Sequence, residues 1–331
     1  MAAVHHPTIA RHGLDAASPG RSGACLLAAV CLLLAALAGG CAGGGGSAAR
    51  RDLATAIAVS GALTPVVLET GSACPVPLAA YGRNGPGGTL AVYLEGDGQA
   101  YRDRLSPSED PTPADPVGLR LAAGDPGGKA LYLARPGQYL SPQVLANLNP
   151  ALWTTERYTA QTVACLSAAL DAAKVVYGVE TLRLVGYSGG GALAVLLAAG
   201  RTDVVGLTTV AANLDLAAWA ELHGLALPLQ WRNPVDVAPA VAHIPQTHLA
   251  GSKDANTPPW LCRRFLSRLG DASRARCLVL DGADHHHGLR RPGPALRWTD
   301  PGSRRPERSP GLNVDVGTEP RRPAVTTAIG E

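Results

Sequence analysis

Short apolar runs alternate along most of the chain with segments in which apolar residues recur at helical spacing. The predicted strands are two β-rich segments in "TPVVLETGSACPVPLAAYGR", residues 90–94, residues 129–134, "TLRLVG", "VVGLTTVAAN", "QTHLAGSKD" and "ARCLVLDGADH". The predicted helices are "VGLRLAAG", "LWTTERYTAQTVACLSAALDAAKVVYG", the segment ending near Ala199, and "WLCRRFLSRLG". Strands that alternate with helices predict an α/β domain over residues 63–287, with a mostly parallel central sheet and helices on both faces.

The N-terminal residues 1–41 have the pattern of an export signal. Arg11 and Arg21 precede the uncharged run "ACLLAAVCLLLAALA", which is shorter than the roughly 20 residues of a membrane span. The following "LAGGC" resembles a bacterial lipobox, although Ala38 stands where leucine is usual. We therefore expect export to the cell envelope and a membrane anchor through lipid (palmitate) on Cys41. An ordinary cleaved signal and an uncleaved anchor are the alternatives.

The segments that flank the predicted domain differ from it in composition. Residues 42–62 begin with "AGGGGSAARR", which predicts a flexible tether. Residues 288–331 are rich in arginine and proline without a sustained period, which predicts a disordered tail. The tail holds eight arginines and five acidic residues and so carries the whole net charge of +3. The nearly neutral remainder argues against nucleic acid as a partner.

Four of the seven cysteines, Cys74, Cys165, Cys262 and Cys277, lie beyond the N-terminal signal and Cys41. An exported chain can oxidise them, and Cys262 with Cys277 would close a short loop, but the sequence leaves the pairing open. Because C-x-x-C spacing is absent, we expect no structural zinc.

A serine occupies the junction between a predicted strand and a predicted helix. Residues Gly186-Tyr187-Ser188-Gly189-Gly190 fit the pattern G-x-S-x-G, and the strand-to-helix context is the one in which that pattern exposes a nucleophile. Glycines are needed there because a sharp turn against the sheet leaves no room for Cβ atoms. The alternative is a glycine-rich turn that contains serine without a chemical role.

The order strand–Ser–helix–strand–strand–Asp–strand–His resembles the α/β-hydrolase superfamily. More narrowly, "VYLEGDG", "YLARPGQY", "ALWTTERY", "GYSGGG" and "GADHH" resemble bacterial lipoprotein-type α/β-hydrolases. The resemblance implies Asp254 in "THLAGSKD" as the acid, with Asp215 in "ANLD" as the alternative. It implies His285 as the base, ahead of His286 and His287 in the same run.

The same resemblance implies an oxyanion hole made of two backbone N–H groups, those of Gly189 and Asp97. The loop "EGDG" places two carboxylates there, and a carboxylate beside a forming oxyanion would oppose it. We therefore expect Glu95 and Asp97 to turn away, toward Arg102 or Arg104.

These residues together predict a serine hydrolase, and the expected substrate is a small ester or other acyl compound. Amidase, peptidase and thioesterase activities are alternatives on the same fold, and a non-catalytic, membrane-tethered binding domain is an alternative of another class. No cofactor or metal is implied. The excursion at residues 214–243 holds Trp219, Trp231 and Leu225–Leu229, which are candidates for an apolar acyl pocket; a packed structural segment is the other interpretation.

Overall fold

The computed structural model of the protein describes residues 42–289 and 312–313. The predictions for residues 1–41, including lipidation of Cys41, lie outside the described residues. The same holds for the predicted tail, apart from residues 288–289 and 312–313.

The strands of the described chain form one sheet. They are β1 (Thr64–Pro65), β2 (Ala80–Arg83), β3 (Thr89–Leu94), β4 (Lys129–Leu133), β5 (Thr181–Tyr187), β6 (Val204–Val210), β7 (Gln246–Gly251), β8 (Ala275–Leu280) and β9 (Leu312–Asn313). Their spatial order is β1-β2-β4-β3-β5-β6-β7-β8-β9. The pairs from β4 to β8 are parallel, whereas β2 runs antiparallel to β1 and β4, and β9 runs antiparallel to β8. The predicted mostly parallel sheet is confirmed.

Helices connect the parallel strands and cover both faces of the sheet. They are α1 (Ala42–Ser60), α2 (Val117–Ala123), α3 (Pro142–Leu145), α4 (Ala160–Tyr177), α5 (Gly189–Ala199), α6 (Leu216–Leu222), α7 (Ala238–Val241) and α8 (Pro259–Leu266), with 3₁₀ turns at Gly71–Ala73, Pro150–Trp153 and Pro234–Val237. Strand β3 shows the two-sided burial: Leu90 and Val92 pack into the cluster that contains α4 and α5, and Tyr93 packs into the opposite cluster. Successive strand residues face opposite sides, so a strand covered on both sides is apolar throughout.

The segment predicted as a flexible tether is instead helix α1. The prediction was drawn from the glycines, but the following "SAARRDLATAIAVS" is rich in alanine and repeats apolar residues at helical spacing. Ala54, Ile57 and Ala58 are buried in the core as a result. From Ala49 onward the described residues belong to one compact unit. None of the helices among the described residues has the length and hydropathy needed to cross a membrane.

The four cysteines form two disulfides, Cys74–Cys165 and Cys262–Cys277. The pairing of Cys262 with Cys277, which the sequence had left open, joins α8 to β8. The other bond joins the segment before β2 to helix α4. Each disulfide therefore ties a helix that packs on the sheet to another segment of the chain.

His248 is buried in β7, where its ring lies 2.8 Å from the Thr209 hydroxyl and 3.0 Å from the Gln246 side-chain oxygen. Burial lowers the pKa of His248 to about 3. In the unfolded chain the histidine pKa is near its ordinary 6.5. Between these two pKa values the unfolded state binds a proton that the folded state does not, so stability falls as the pH falls through this window.

We expect His248→Gln to reduce this pH dependence. Between pH 7 and pH 5 the wild type should lose about 2 kcal/mol more free energy of unfolding than the variant does. Denaturant unfolding at the two pH values measures the difference, and His243→Gln, at an exposed histidine, is the matched control. Equal losses in the wild type and His248→Gln would contradict the assignment.

Candidate active site

Ser188 lies at a sharp turn between β5 and α5. Its backbone has φ +50° and ψ −120°, a conformation that side-chain-bearing residues rarely adopt. The turn is held by close packing, since a Cβ atom at Gly186 would lie 2.3 Å from the Gly190 carbonyl oxygen. A hydrogen bond of 2.9 Å from the Ser188 N–H to the Val210 carbonyl ties the turn to β6. The strained backbone presents the Ser188 side chain at the carboxyl edge of the sheet.

The structure brings Ser188, His285 and Asp254 together in one chain of hydrogen bonds. The Ser188 Oγ lies 3.0 Å from His285 Nε2, and His285 Nδ1 lies 2.9 Å from Asp254 Oδ2. The backbone carbonyl of His285 accepts a 3.0 Å hydrogen bond from the Tyr187 hydroxyl, which fixes the histidine loop next to the serine. With Nδ1–H donating to the carboxylate, Nε2 is left to accept the serine proton.

The Asp254 carboxylate is buried and fully hydrogen-bonded. Its Oδ1 accepts from the backbone N–H groups of Asn256 (2.9 Å) and Thr257 (2.8 Å), and its Oδ2 accepts from the Thr257 hydroxyl at 2.7 Å. Burial by itself would raise the pKa of Asp254, but the hydrogen bonds from His285 and Thr257 outweigh it and lower that pKa. The carboxylate is therefore an anion that faces the His285 ring.

The alternative residues lie elsewhere. Asp215 caps the N-terminus of α6, where its carboxylate accepts a hydrogen bond from the Ala218 N–H at 3.1 Å and pairs with Arg264 at 2.6 Å. His286 Nδ1 lies 3.2 Å from the Tyr187 hydroxyl, and His287 is held by its neighbour Asp284. Among the described contacts, none of these three residues makes a hydrogen bond to Ser188. Asp215 also makes none to His285.

The loop after Asp254 contributes two contacts that the sequence did not single out. Asn256 Nδ2 lies 3.0 Å from His285 Nε2, and the Thr257 hydroxyl lies 3.2 Å from His285 Nδ1. Helix α6 holds this loop, because His223 Nε2 donates to the Asn256 carbonyl at 2.9 Å and Trp219 Nε1 donates to its side-chain oxygen at 3.4 Å. These contacts depend on loop geometry, and "KDANTPP" carries no pattern that indicates them.

The loop after β3 packs against the serine turn. A Cβ atom at Gly96 would lie 3.4 Å from the Ser188 Cβ, so the backbone of Gly96 and Asp97 passes directly beside the serine. Gly189 is the first residue of α5, and its N–H has no carbonyl partner one turn earlier in the helix. Gly189 and Asp97, the residues of the two predicted N–H donors, therefore lie next to each other beside Ser188.

The two carboxylates of this loop do not pair with Arg102 or Arg104. Glu95 is buried and accepts N–H groups at the start of α2, from Gly118 at 3.2 Å, and the Tyr132 hydroxyl at 3.1 Å. Burial raises the pKa of Glu95, although these hydrogen bonds work in the opposite direction. Arg102 is exposed and pairs with Glu109, and Arg104 donates to the His223 carbonyl. The predicted partners are wrong because both arginines lie in an exposed loop and bond to other groups.

Asp97 pairs with two arginines that the sequence analysis missed. Arg135 Nη1 lies 2.9 Å from Asp97 Oδ1, and Arg157 Nε lies 3.0 Å from Asp97 Oδ2. The Tyr158 hydroxyl donates to the same carboxylate at 2.6 Å. Burial would raise the pKa of Asp97, but Arg157 and Arg135 outweigh it and lower that pKa. The sequence placed Arg135 directly after a predicted strand, in "YLARPGQY", and Arg157 inside a predicted helix, in "TERY", and neither position indicates an ion pair with Asp97.

A cleft of about 660 Å³ opens over Ser188 and His285. Its other walls include Asp97, Tyr101, Asp115, Arg157, Asn213, Trp219, Asn256, His286 and His287. Trp219 thus lines the cleft, but the other candidates for an apolar pocket do not: Trp231 packs on the Tyr158 ring at 4.8 Å, and Leu229 is fully exposed. The walls are polar and aromatic rather than aliphatic.

The described residues contain no group of three or more His, Cys, Asp or Glu side chains that could hold a metal ion.

The strand order of the sheet, the antiparallel β2 and the serine turn between β5 and α5 together define the fold. The chain has the α/β-hydrolase fold. Similar solved structures include a proline iminopeptidase from Mycobacterium smegmatis, with 14% identity over 69% of this chain and 94% of that one and a TM-score of 0.49. Est1E from Butyrivibrio proteoclasticus shares 14% identity over 68% and 91%, with a TM-score of 0.46. A bacterial membrane phospholipase A shares 17% over 81% and 94%, with a TM-score of 0.49.

No protein-family model matches the chain, and no curated protein matches it in sequence.

Proposed function

We propose that the protein is a serine hydrolase that cleaves carboxylic esters through an acyl-enzyme. The observation that carries this proposal is the hydrogen-bonded series Ser188–His285–Asp254, set on a strained turn at the floor of a cleft. An unassisted serine hydroxyl is a weak nucleophile, and a neighbouring imidazole held by a carboxylate is the arrangement that activates it.

In the first half of the reaction His285 Nε2 takes the proton from Ser188 Oγ while that oxygen attacks the ester carbonyl carbon. The carbonyl oxygen becomes negative and accepts hydrogen bonds from the N–H groups of Gly189 and Asp97. Asp254 holds the resulting imidazolium through Nδ1–H. The imidazolium then gives its proton to the leaving alkoxide as the carbon–oxygen bond breaks, which leaves the acyl group on Ser188.

In the second half water takes the place of the alcohol. His285 removes a proton from water, the hydroxide attacks the acyl carbonyl, and Ser188 leaves with the proton returned by the imidazolium. Esters are favoured over amides because an alkoxide needs less assistance to leave. The same groups serve thioesters and amides, so the class of leaving group is a matter for measurement.

We also propose that this hydrolase is exported and anchored through lipid on Cys41. Two disulfides support export, because such bonds persist mainly in oxidising compartments. Incorporation of an alkyne-bearing palmitate analogue by the wild type but not by Cys41→Ala tests the anchor, and incorporation by neither argues for a cleaved signal.

Labelling with a fluorophosphonate probe tests the proposed function. We expect one probe on each wild-type chain, mapped by mass spectrometry to the peptide that contains Ser188, because only an activated serine reacts. Ser188→Ala should remain unlabelled. Ser267→Ala is the matched control, since Ser267 is exposed and, among the residues that the structure describes, its hydroxyl bonds only to the carbonyl of Arg264. A folded wild type that neither reacts with the probe nor hydrolyses p-nitrophenyl esters would favour the non-catalytic binding domain instead.

A further inference from the structure

We propose that Arg157 binds a carboxylate on the substrate, so that the enzyme prefers half-esters of dicarboxylic acids over neutral esters of the same length. This inference rests on the proposed function and names the class of substrate that the same site takes. The inference rests on three features: the charges of Asp97, Arg135 and Arg157, the N–H donors of the Arg157 guanidinium, and the packing of the Asp97 carboxylate against Gly189.

The charges around Asp97 do not balance. Its lowered pKa makes Asp97 an anion, and it faces both Arg135 and Arg157 at ion-pair distance. Tyr158 donates its hydroxyl to the same carboxylate and stays neutral, because burial raises its pKa. One negative charge against two positive charges leaves one positive charge without a partner in this cluster. A buried, uncompensated cation is costly, and a monoanionic ligand group would remove that cost.

Arg157 is the cation of the cluster that reaches the cleft, where Asp97 also lines the wall. The Arg157 side chain is 8% exposed and contributes to the cleft wall, whereas Arg135 does not. The guanidinium is held in place on one side by Asp97 at Nε and by the Thr154 carbonyl at Nη1 (3.3 Å). Its face lies 4.6 Å from the Trp231 ring centroid. The Tyr158 side chain also hydrogen-bonds to this guanidinium. A guanidinium carries five N–H donors, so donors remain for a ligand.

The other charged groups of the cleft have their own partners. Asp115 pairs with Arg120 at 2.7 Å, and Glu95 is satisfied by α2 and Tyr132. Arg157 is therefore the permanent cation among the cleft-lining residues that the structure describes. A guanidinium with remaining N–H donors suits a planar carboxylate, and a single surplus charge suits a monoanion better than a dianionic phosphate.

The position of the cluster places this carboxylate close to the reacting carbonyl. A Cβ atom at Gly189 would lie 2.0 Å from Asp97 Oδ1, so the Asp97 carboxylate packs directly on the residue that is to bind the oxyanion. Arg157 contacts the other oxygen of that carboxylate, with its Nε 3.0 Å from Asp97 Oδ2. An anion bound by Arg157 is thus one side chain away from the oxyanion, a spacing that fits the second carboxylate of a short diacid.

The test compares two p-nitrophenyl esters of equal length, the pentanoate and the glutarate half-ester, on the full chain. We expect the wild type to hydrolyse the glutarate half-ester with a kcat/KM about 10- to 100-fold above that of the pentanoate, the range of a charge-assisted hydrogen bond. Arg157→Gln should reduce this ratio to near one or below. Arg157→Lys, which keeps the charge but loses the planar fork, should retain part of it.

Arg102→Gln is the matched control, because Arg102 is exposed outside the cleft and should leave the ratio unchanged. A wild type that hydrolyses the pentanoate as fast as the half-ester would overturn the inference, without recourse to any variant. Equal loss of both activities in a folded Arg157→Gln would also overturn it and would indicate general support of the oxyanion. Absence of any esterase activity or Ser188 labelling would instead refute the proposed function itself.

Discussion

Asp254→Asn is expected to lower the kcat of ester hydrolysis by about 10⁴-fold while the protein remains folded. The hydrogen bonds of this side chain give the reason. Asp254 Oδ1 accepts two backbone N–H groups, so an asparagine would keep its oxygen there and place its NH₂ group at the position of Oδ2. That NH₂ group would then face His285 Nδ1 as a donor. The imidazole would have to carry its proton on Nε2, where it can no longer accept the proton of Ser188.

The matched control for this variant is Asp215→Asn. Asp215 caps α6 and pairs with Arg264. Asparagine caps a helix as well as aspartate does, so loss of the ion pair alone should cost about 1 kcal/mol of stability and leave kcat within a few fold. Steady-state kinetics with p-nitrophenyl butyrate and denaturant unfolding measure both quantities. If Asp215→Asn lost the activity and Asp254→Asn kept it, the acid would be the residue that follows β6 rather than the one that follows β7.

The sequence located the residues of the candidate triad because each follows a predicted strand. Ser188, Asp254 and His285 come after β5, β7 and β8, and the carboxyl ends of parallel strands meet at one edge of the sheet. The sequence could not choose between Asp254 and Asp215, since both follow strands and both precede helices. The choice depends on which loop reaches His285, and that geometry follows from hydrogen bonds within "KDANT" that no spacing rule describes.

The surroundings of Asp97 show where sequence reasoning fails. An acidic loop beside the oxyanion position called for cations, and the nearest arginines along the chain, Arg102 and Arg104, were the natural candidates. Its partners are instead Arg135 after β4 and Arg157 before α4, which only the packing of the sheet brings to the same place. Ion pairs between distant segments leave no periodic trace, whereas buried strands do.

The tether prediction was wrong, and the acyl-pocket interpretation of residues 214–243 holds only for Trp219, for a related reason. Composition dominated both predictions: glycines suggested flexibility at residues 42–62, and leucines suggested an acyl pocket at residues 225–229. Tertiary contacts decided otherwise, because Ile57 packs α1 into the core and Leu229 projects into solvent. Composition describes what a segment is able to form, and packing partners determine what it does form.

Gly190→Ala is expected to destabilise the protein by roughly 3 kcal/mol or more and to abolish esterase activity with it. A Cβ atom at Gly190 would lie 2.4 Å from the carbonyl oxygens of Leu94 and Glu95. These atoms belong to the end of β3 and its loop, which cannot move without displacing the Asp97 N–H from its proposed place in the oxyanion hole. Helix α5 would have to shift away from the sheet and carry Ser188 out of line with His285.

Gly200→Ala, at the other end of α5, separates this effect from a general intolerance of alanine in that helix. The nearest neighbour of a Cβ atom at Gly200 is the Leu197 carbonyl oxygen at 3.9 Å, and its φ of −99° suits alanine. This variant should match the wild type in activity and gain up to about 1 kcal/mol, because alanine restricts the unfolded chain. Denaturant unfolding and ester kinetics on both variants test the comparison. If Gly190→Ala unfolded at the wild-type denaturant concentration, β3 and α5 would be further apart than described, and the Asp97 N–H could not serve the same oxyanion as the Gly189 N–H.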